Sequence, residues 1–494
     1  MENKMALPSQ EEKEIVAAET AAWKAPAFKV SGVFGSHMVL QRERPIRIWG
    51  FSDTPGSVIT GEFMGERVTA TVTDDCRWTL RFVPHSAVWE GKQMVIYDDR
   101  GHSAILDDVL VGDVWLIGGQ SNAEHNQGGC LDWAPEQWYD KDEPLRLFAQ
   151  TRQYAFEHQD LCAAPQPDII CPEWGWQLPL EQAAHTFSAI GWFFGKELLR
   201  YIDAPVGLIM MAAGGACIRE LMPAELAVEL GYTTTVAVPL GGFYNSLIHP
   251  FVPLQFKGQI FFQGESEGCF PDHAPVYDKE LARLVEDERA RFGHNFPFYN
   301  VQLSDYRDEC FTYFAWLDTV RVRQLDALAA IPNSTLTPAM DLGSPDSHPD
   351  FAHSPRKYEL AMRLAKYALA REYRIGSEYD ARAPKPTMAK KSADGKQITV
   401  AFTDIGDGLC VLGQSPKDSI GQEIKGFRVG PKGADLPARA VIETRGLVTV
   451  DVPEGADASE VSYAYAIRVS VDHADLRNGN NLPAFAFSMR KFSK

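Results

Sequence analysis

From Phe28 to about Asp108, apolar and polar residues alternate in short runs, PIRIWG, SVITGEF, RVTATVT, WTLRFV and QMVIYDD, separated by Gly, Pro and Asp. A two-residue period bounded by turn formers predicts half-buried strands, so this stretch reads as a small β-domain. After Val109 the pattern changes. Single unbroken apolar runs (VWLIGG, PVGLIMMAAGG, KGQIFFQG, FYNVQL) alternate with stretches of helical period such as SAIGWFFGKELLRYI and YDKELARLVEDERARF. Strands without polar positions suit a parallel sheet covered on both faces by helices. From about Pro384 the alternating pattern returns in QITVAF, GLVTVDV and VSYAYAI. The predicted organisation is an extension over 1–27, a β-domain over 28–108, an α/β domain over 109–380 and a second β-domain over 381–494. There is no internal repeat or low-complexity tract.

A chain of 494 residues is too long for one ordinary core, which agrees with several domains. No apolar run reaches the roughly 18 residues needed to cross a bilayer, so a soluble protein with no membrane partner is expected. The formal charge of −18 repels phosphate backbones, and Lys and Arg are scattered without a stripe, which argues against nucleic acid and for a small ligand. The eight cysteines (76, 130, 162, 171, 217, 269, 310 and 410) are widely spaced without a Cys-x-x-Cys pair and read as reduced thiols. The first 27 residues contain Glu and Lys throughout and no apolar core of a secretory signal, so cytoplasmic residence is expected. Within them, about Glu11 to Trp23 reads as a short amphipathic helix or a frayed extension.

Candidate chemistry begins at the stretch from Asp113 to Asn126, DVWLIGGQSNAEHN. A doubly wound sheet binds ligands beyond the carboxyl ends of its strands, and VWLIGG is such an end. Gly118 and Gly119 permit a tight turn, and Ser121, opening the next turn or helix, would direct its backbone N–H toward negative charge. Ser121 or Asn122 reads equally as a helix N-cap.

A second cluster, MDLGSPDSHPDFAHSPRKYELAMRLA, spans Met340 to Ala365. A serine hydroxyl needs an imidazole to take its proton, and the imidazole needs a partner that fixes its tautomer. His348 and Asp346 offer such a pair, and Pro349 stiffens the loop before a helix beginning near Pro355. Asp346, His348, Asp350 and His353 also read as metal ligands, but their spacing is irregular and no further cluster completes a site. The chain has no P-loop and no Gly-x-Gly-x-x-Gly after a strand, so no metal, nucleotide or organic cofactor is called for.

The ordered segments GGQSNA, GLIMMAAGGACIREL, YNSLIHPFVPLQFKGQIFFQGESE and DSHP resemble the sialate O-acetylesterase family, a branch of the SGNH hydrolases that includes acetylxylan-type esterases. The similarity extends to the flanks, through FKVSGVFGSHMVLQRERPIRIWG before and EIKGFRVG and VSYAYA after. The resemblance implies an α/β fold with an SGNH-hydrolase-like doubly wound parallel sheet, flanked by N-terminal and C-terminal β-rich domains. It implies a serine esterase removing acetyl groups from acetylated sugars, sialic acid foremost and acetylated xylan fragments as the alternative; the expected cytoplasmic residence favours small ones. Ser121 falls on the nucleophile and His348 on the general base. The N–H groups of Ser121 and Gly215 and the side-chain amide of Gln263 fall on the oxyanion hole. SGNH enzymes commonly place the carboxylate three residues before the histidine; here Asp346 is two before, leaving a Ser–His dyad open and Asp341 in reserve.

Several residues admit two readings. GESEG, Gly264 to Gly268, is a literal Gly-x-Ser-x-Gly, which makes Ser266 a rival nucleophile; an elbow needs a helix at once, and Pro271 and Pro275 postpone one to about Val276. Arg219 stands where the family usually shows GGTPIEAW, and reads as a cation for a sialate carboxylate or as a solvated surface arginine. Asn245 and His249 read as pocket residues or helix packing, and Arg321 and Gln324 as substrate contacts or ligands of nearby carbonyls. Trp133, Trp138, Trp174 and Trp176 read as core residues or as sugar-stacking rings of an inactive carbohydrate-binding protein.

Overall fold

The structure is a computed structural model describing residues 24–131, 140, 142–150, 152–171, 174–180, 183, 187–234, 236–307, 310, 313–348, 350, 352–469, 472–490 and 492. The amphipathic segment expected near Glu11 to Trp23, and Trp133, Trp138 and Pro349, lie outside the described residues. The chain divides into two compact units, one of Met1–Gly129, Trp133–Phe261 and Leu284–Phe298, the other of Cys130–Asp132, Phe262–Arg283 and Tyr299–Lys494.

In the first unit the alternating sequence forms antiparallel strands. Lys29–Val30, Ile46–Phe51 and Arg77–Phe82 make a three-stranded sheet; in the last, Trp78, Leu80 and Phe82 are buried on the two-residue period, whereas Ile46–Phe51 is buried throughout except at Arg47. Val58–Phe63, Glu66–Thr71 and Val88–Asp98 form a second layer. The 17-residue strand Ser103–Gly119 belongs to two sheets. Its first half pairs antiparallel with Val88–Asp98, whereas Asp113 to Gly119 pair in parallel with Val206–Ala212. Burial changes along it accordingly, alternating up to Asp108 and continuous from Val109. The α/β sheet of this unit runs Gly175–Gln177, Leu145–Ala149, Val206–Ala212, Ser103–Gly119 and Gly258–Phe262. Leu145–Ala149 is parallel to Val206–Ala212, and Gly175–Gln177 is an antiparallel edge.

Helix Ala189–Leu199 presses on this sheet because two glycines one turn apart leave room. A Cβ on Gly191 would lie 2.9 Å from Ile117, and one on Gly195 would lie 2.9 Å from both Leu145 and Leu208. Ser188 caps it, its Oγ accepting from the Gly191 N–H at 3.1 Å.

The second unit contains the strand Ser334–Pro338, most of Phe298–Gln302, and the helices Leu317–Ala330 and Lys357–Tyr373. Its C-terminal part is β-rich, with a five-stranded antiparallel sheet, a four-stranded sheet and a two-stranded ladder. Ile398, Val400, Phe427, Val448, Val461 and Phe487 lie in its core. Arg321 is wholly buried between the helical and β-rich parts of this unit, donating to the carbonyls of Leu303 (2.9 Å), Ala466 (2.6 Å), Ile467 (3.3 Å) and Ser304. The α/β fold with β-rich flanks is the one the sequence predicts. All eight cysteines are unbridged. No helix among the described residues is long and apolar enough to cross a membrane.

Candidate active site

In the first unit the strand Ser103–Gly119 ends at Gly119, whose φ of +127° turns the chain out of the sheet in a region that disfavours a side chain. Gln120 occupies the N-cap position, φ −119° and ψ −153°, without a side-chain cap hydrogen bond. Ser121 is therefore the first residue of the one-turn helix Ser121–Glu124, half-buried, and is not the cap. Ala212 is the register partner of Gly119, so the Ser121 turn and the Gly214–Gly215 loop leave neighbouring strands at the same edge. The Ala213 N–H donates to the Gly119 carbonyl at 3.0 Å, and the Gly214 N–H to the Glu124 carboxylate at 2.7 Å. Gly214 is thus occupied by the helix that carries Ser121. Gly215 follows with φ +80° and is exposed.

Arg219 is 3% exposed, its guanidinium 4.8 Å over the Tyr232 ring, so the surface-arginine reading is corrected. A stacked guanidinium excluded from water supports its own loop and presents no charge to solvent. Asn245 is buried in the π-helical turn Tyr244–Ile248, and its Nδ2 donates to the Cys162 carbonyl at 2.9 Å. His249 holds the Gln166 carbonyl at 2.8 Å. Trp176 donates to the Val33 carbonyl at 2.9 Å and packs edge-on against Phe148.

In the second unit Gln263 follows directly on the strand Gly258–Phe262 and is completely buried. Its side-chain oxygen accepts from the Tyr277 hydroxyl at 2.6 Å, which fixes the amide so that its nitrogen faces the opposite way, where it donates to Glu267. Gln324 holds the Gln263 carbonyl at 3.0 Å and accepts from the Leu303 N–H at 2.8 Å. Both Arg321 and Gln324 therefore bind main-chain groups. Gly264, φ +135°, leads into the 3-10 turn Ser266–Cys269, and the α-helix begins only at Tyr277. Ser266 thus lacks the helix that a nucleophile elbow requires.

This segment is more highly charged inside than its sequence suggested. Glu265 (4% exposed) accepts from the Tyr306 hydroxyl at 2.9 Å, and Glu267 is 1% exposed. Burial, then Glu267 and Glu265, raises the Tyr277 hydroxyl well above its usual range; burial and Glu265 do the same to Tyr306. Lys357, fully buried with its Nζ 5.5 Å over the Phe262 ring, is pulled down to about 8 by burial against the attraction of Cys130, Glu265 and Asp350. Glu265, Glu267 and Lys357 are missed in the reading of the sequence, although acids following a strand as apolar as GQIFF signal buried charges that require partners.

His348 lies on a turn closed by its own N–H to the Pro345 carbonyl at 2.9 Å, and its carbonyl accepts from Arg307 at 2.7 Å. Its Nδ1 faces the backbone of Asp350, 3.3 Å from the carbonyl oxygen and 3.2 Å from the N–H. The Asp350 carboxylate holds that backbone in place, accepting from the N–H groups of Ala352 (2.9 Å) and His353 (3.0 Å) and pairing with the His353 ring at 2.7 Å. Neither carboxylate proposed from sequence adjoins His348. Asp346 is 74% exposed and pairs with Arg468 at 2.7 Å. Asp341 is clamped by Arg363 at 2.7 Å through both oxygens and by Arg477 at 2.9 Å. Burial raises the Asp341 carboxyl, and the two arginines outweigh it, leaving it below the ordinary range.

The chain resembles known enzymes in sequence and fold. A solved carbohydrate acetylesterase from Xanthomonas citri superposes with a TM-score of 0.76 at 26% identity, covering 94% of this chain and 99% of that one. The sialate O-acetylesterase of Homo sapiens is 26% identical over 384 residues, 70% of this chain and 71% of its own length, and that of Mus musculus 25% over 410 residues, 70% and 74%. The protein is a carboxylic ester hydrolase that removes O-acetyl groups from sugars. Residues 111–370, just over half the chain, match the family described as carbohydrate esterase, sialic acid-specific acetylesterase, and the chain belongs to that family.

Proposed function

We propose that the protein deacetylates small acetylated sugars, sialic acid foremost, through an acyl-enzyme on Ser121. The observation that carries this reading is the position of Ser121, first in a one-turn helix at the carboxyl end of a sheet strand, inside the segment that matches the esterase family.

The Ser121 hydroxyl attacks the acetyl carbonyl while His348 accepts its proton at Nε2. The tautomer this role requires carries its proton on Nδ1, where the Asp350 carbonyl, 3.3 Å away, can accept it in place of a carboxylate. The oxyanion meets the N–H groups of Ser121 and Gly215 and the second N–H of the Gln263 amide, whose first N–H serves Glu267. The Gly214 N–H itself donates to the Glu124 carboxylate at 2.7 Å. One such donor contributes about 2.7–4 kcal/mol to the transition state. His348 returns the proton to the departing sugar oxygen as the C–O bond breaks, and water then enters by the same route to release acetate and restore the serine. These roles call for no cofactor.

The curated relatives named above are sialate O-acetylesterases, which supports the sialic acid assignment. Acetate release from 9-O-acetylated sialic acid and from acetylated xylo-oligosaccharides, at equal ester concentration, tests it. The expected result is a higher kcat/KM on the sialic acid ester; a preference for the xylo-oligosaccharide would transfer the enzyme to the acetylxylan-type reading.

A further inference from the structure

The N-terminal sheet carries a cluster of positive charge without acidic counterparts. The register of Ile46–Phe51 against Arg77–Phe82 sets Arg47 directly opposite Arg81. Such residues share a face with their Cβ atoms about 4.5–5.5 Å apart, and like charges there are destabilising. An acid beside such a pair is the usual remedy. Among the described residues, the side chains of Arg44, Arg47 and Arg81 form neither an ion pair nor a hydrogen bond, and the Arg47 Nε is buried without a partner. The acids nearest in sequence do not neutralise the group. Glu43 makes no ion pair, Asp287 pairs with Arg291 at 2.7 Å, and Glu288 is buried with its carboxyl raised to about 8 and so is protonated at neutral pH.

His294 lies within electrostatic reach of Arg44 and Arg47. Its ring packs edge-on to Phe256, centroids 4.6 Å apart, and both ring nitrogens are buried without a hydrogen-bond partner. Burial first, then Arg44, Arg47 and Arg289, push it down to about 4. The imidazole is therefore neutral, with one N–H to donate and no partner within the protein. Arg289 is anchored on the Phe296 carbonyl at 2.8 Å.

We propose that Arg44, Arg47, Arg81 and His294 form a binding site for an oxyanion, the carboxylate or phosphate of a small acidic molecule, on the N-terminal β-domain. Guanidinium forks match the planar pair of oxygens on such groups. On a chain of charge −18, a local positive patch is also where an anion approaches against the least repulsion. A bound oxyanion would relieve the repulsion across the Arg47–Arg81 rung and satisfy the ring of His294. None of these residues belongs to the proposed catalytic machinery.

Isothermal titration of the full chain with diphosphate and with galacturonate, each against sodium chloride at matched ionic strength, tests the site. Wild type is expected to bind at least one of the two, and which one binds distinguishes a phosphate from a sugar carboxylate. Arg47→Gln/Arg81→Gln should bind at least about tenfold more weakly, and Arg44→Gln several-fold more weakly. Without anion the double variant should melt no lower than wild type, because two opposed charges are gone, and it should hydrolyse p-nitrophenyl acetate at the wild-type rate. The proposal is overturned if neither anion binds wild type beyond chloride, or if both variants bind as tightly as wild type.

Discussion

Asp346→Asn separates two accounts of how His348 is held. In a triad the carboxylate fixes the imidazole tautomer, and its conversion to an amide costs about 10⁴ in kcat. Here the Asp346 side chain is 74% exposed and its contact is an ion pair with Arg468 at 2.7 Å. An exposed pair of this kind is worth about 0–1 kcal/mol, and 1 kcal/mol corresponds to roughly fivefold. Steady-state hydrolysis of p-nitrophenyl acetate by Asp346→Asn should therefore show kcat within about fivefold of wild type. Asp350→Ala should do more harm. It removes a carboxylate that accepts two N–H groups and pairs with His353, the contacts that hold the carbonyl facing the His348 Nδ1. At about 1 kcal/mol per hydrogen bond, kcat should fall by roughly ten- to hundredfold. A loss of a thousandfold or more in Asp346→Asn, with the melting temperature unchanged, would show that Asp346 orients the imidazole after all and would refute the backbone-held dyad.

Three further outcomes are expected. Gln263→Ala should lower kcat by about 10²–10³ with a smaller change in KM if the amide is the oxyanion donor proposed above; it should also cost about 1–3 kcal/mol in urea unfolding, because Glu267, 1% exposed, loses its amide. Asp341→Asn should destabilise by about 3–5 kcal/mol at pH 7, read from the urea midpoint, because it leaves Arg363 and Arg477 facing a neutral amide in a buried pocket. Its carboxyl is depressed in the fold, so that stability is present above the ordinary carboxyl range and lost as pH falls through the lower folded value; the difference between variant and wild type should shrink there. Glu288 has the opposite sign. Its carboxyl, raised by burial to about 8, is protonated in the fold, so its contribution is complete below the ordinary carboxyl range and is lost as pH rises toward 8. Glu288→Gln should therefore melt higher than wild type at pH 9, with the gap narrowing toward pH 4.

Local periodicity made much of this protein legible. The switch in Ser103–Gly119 from alternating to continuous burial is visible in the order of its apolar residues, because a strand solvated on one face and a strand covered on both require different patterns. The turn at Gly119 and the helix opened by Ser121 follow the same logic. What the sequence concealed were contacts made at long range. Arg219 read as solvated because nothing near it in the chain announces Tyr232 as the ring beneath its guanidinium. Asp346 read as the partner of His348 because the two are neighbours, whereas Arg468, 122 residues away, takes its carboxylate. The buried set of Glu265, Glu267 and Lys357 is composed of residue types normally found at the surface, and only the tertiary packing shows what encloses them. Arg47 and Arg81 belong to the same class, each ordinary in its own strand and unusual only once the register sets them face to face.

The central claim is that Ser121 is the nucleophile, and the rate of p-nitrophenyl acetate hydrolysis by Ser121→Ala tests it most directly. The side chain is half-buried and removing one hydroxyl leaves the fold intact, so the melting temperature should match wild type. Loss of the nucleophile should lower kcat by at least about 10⁴. A folded Ser121→Ala enzyme that turns over at the wild-type rate would contradict the account.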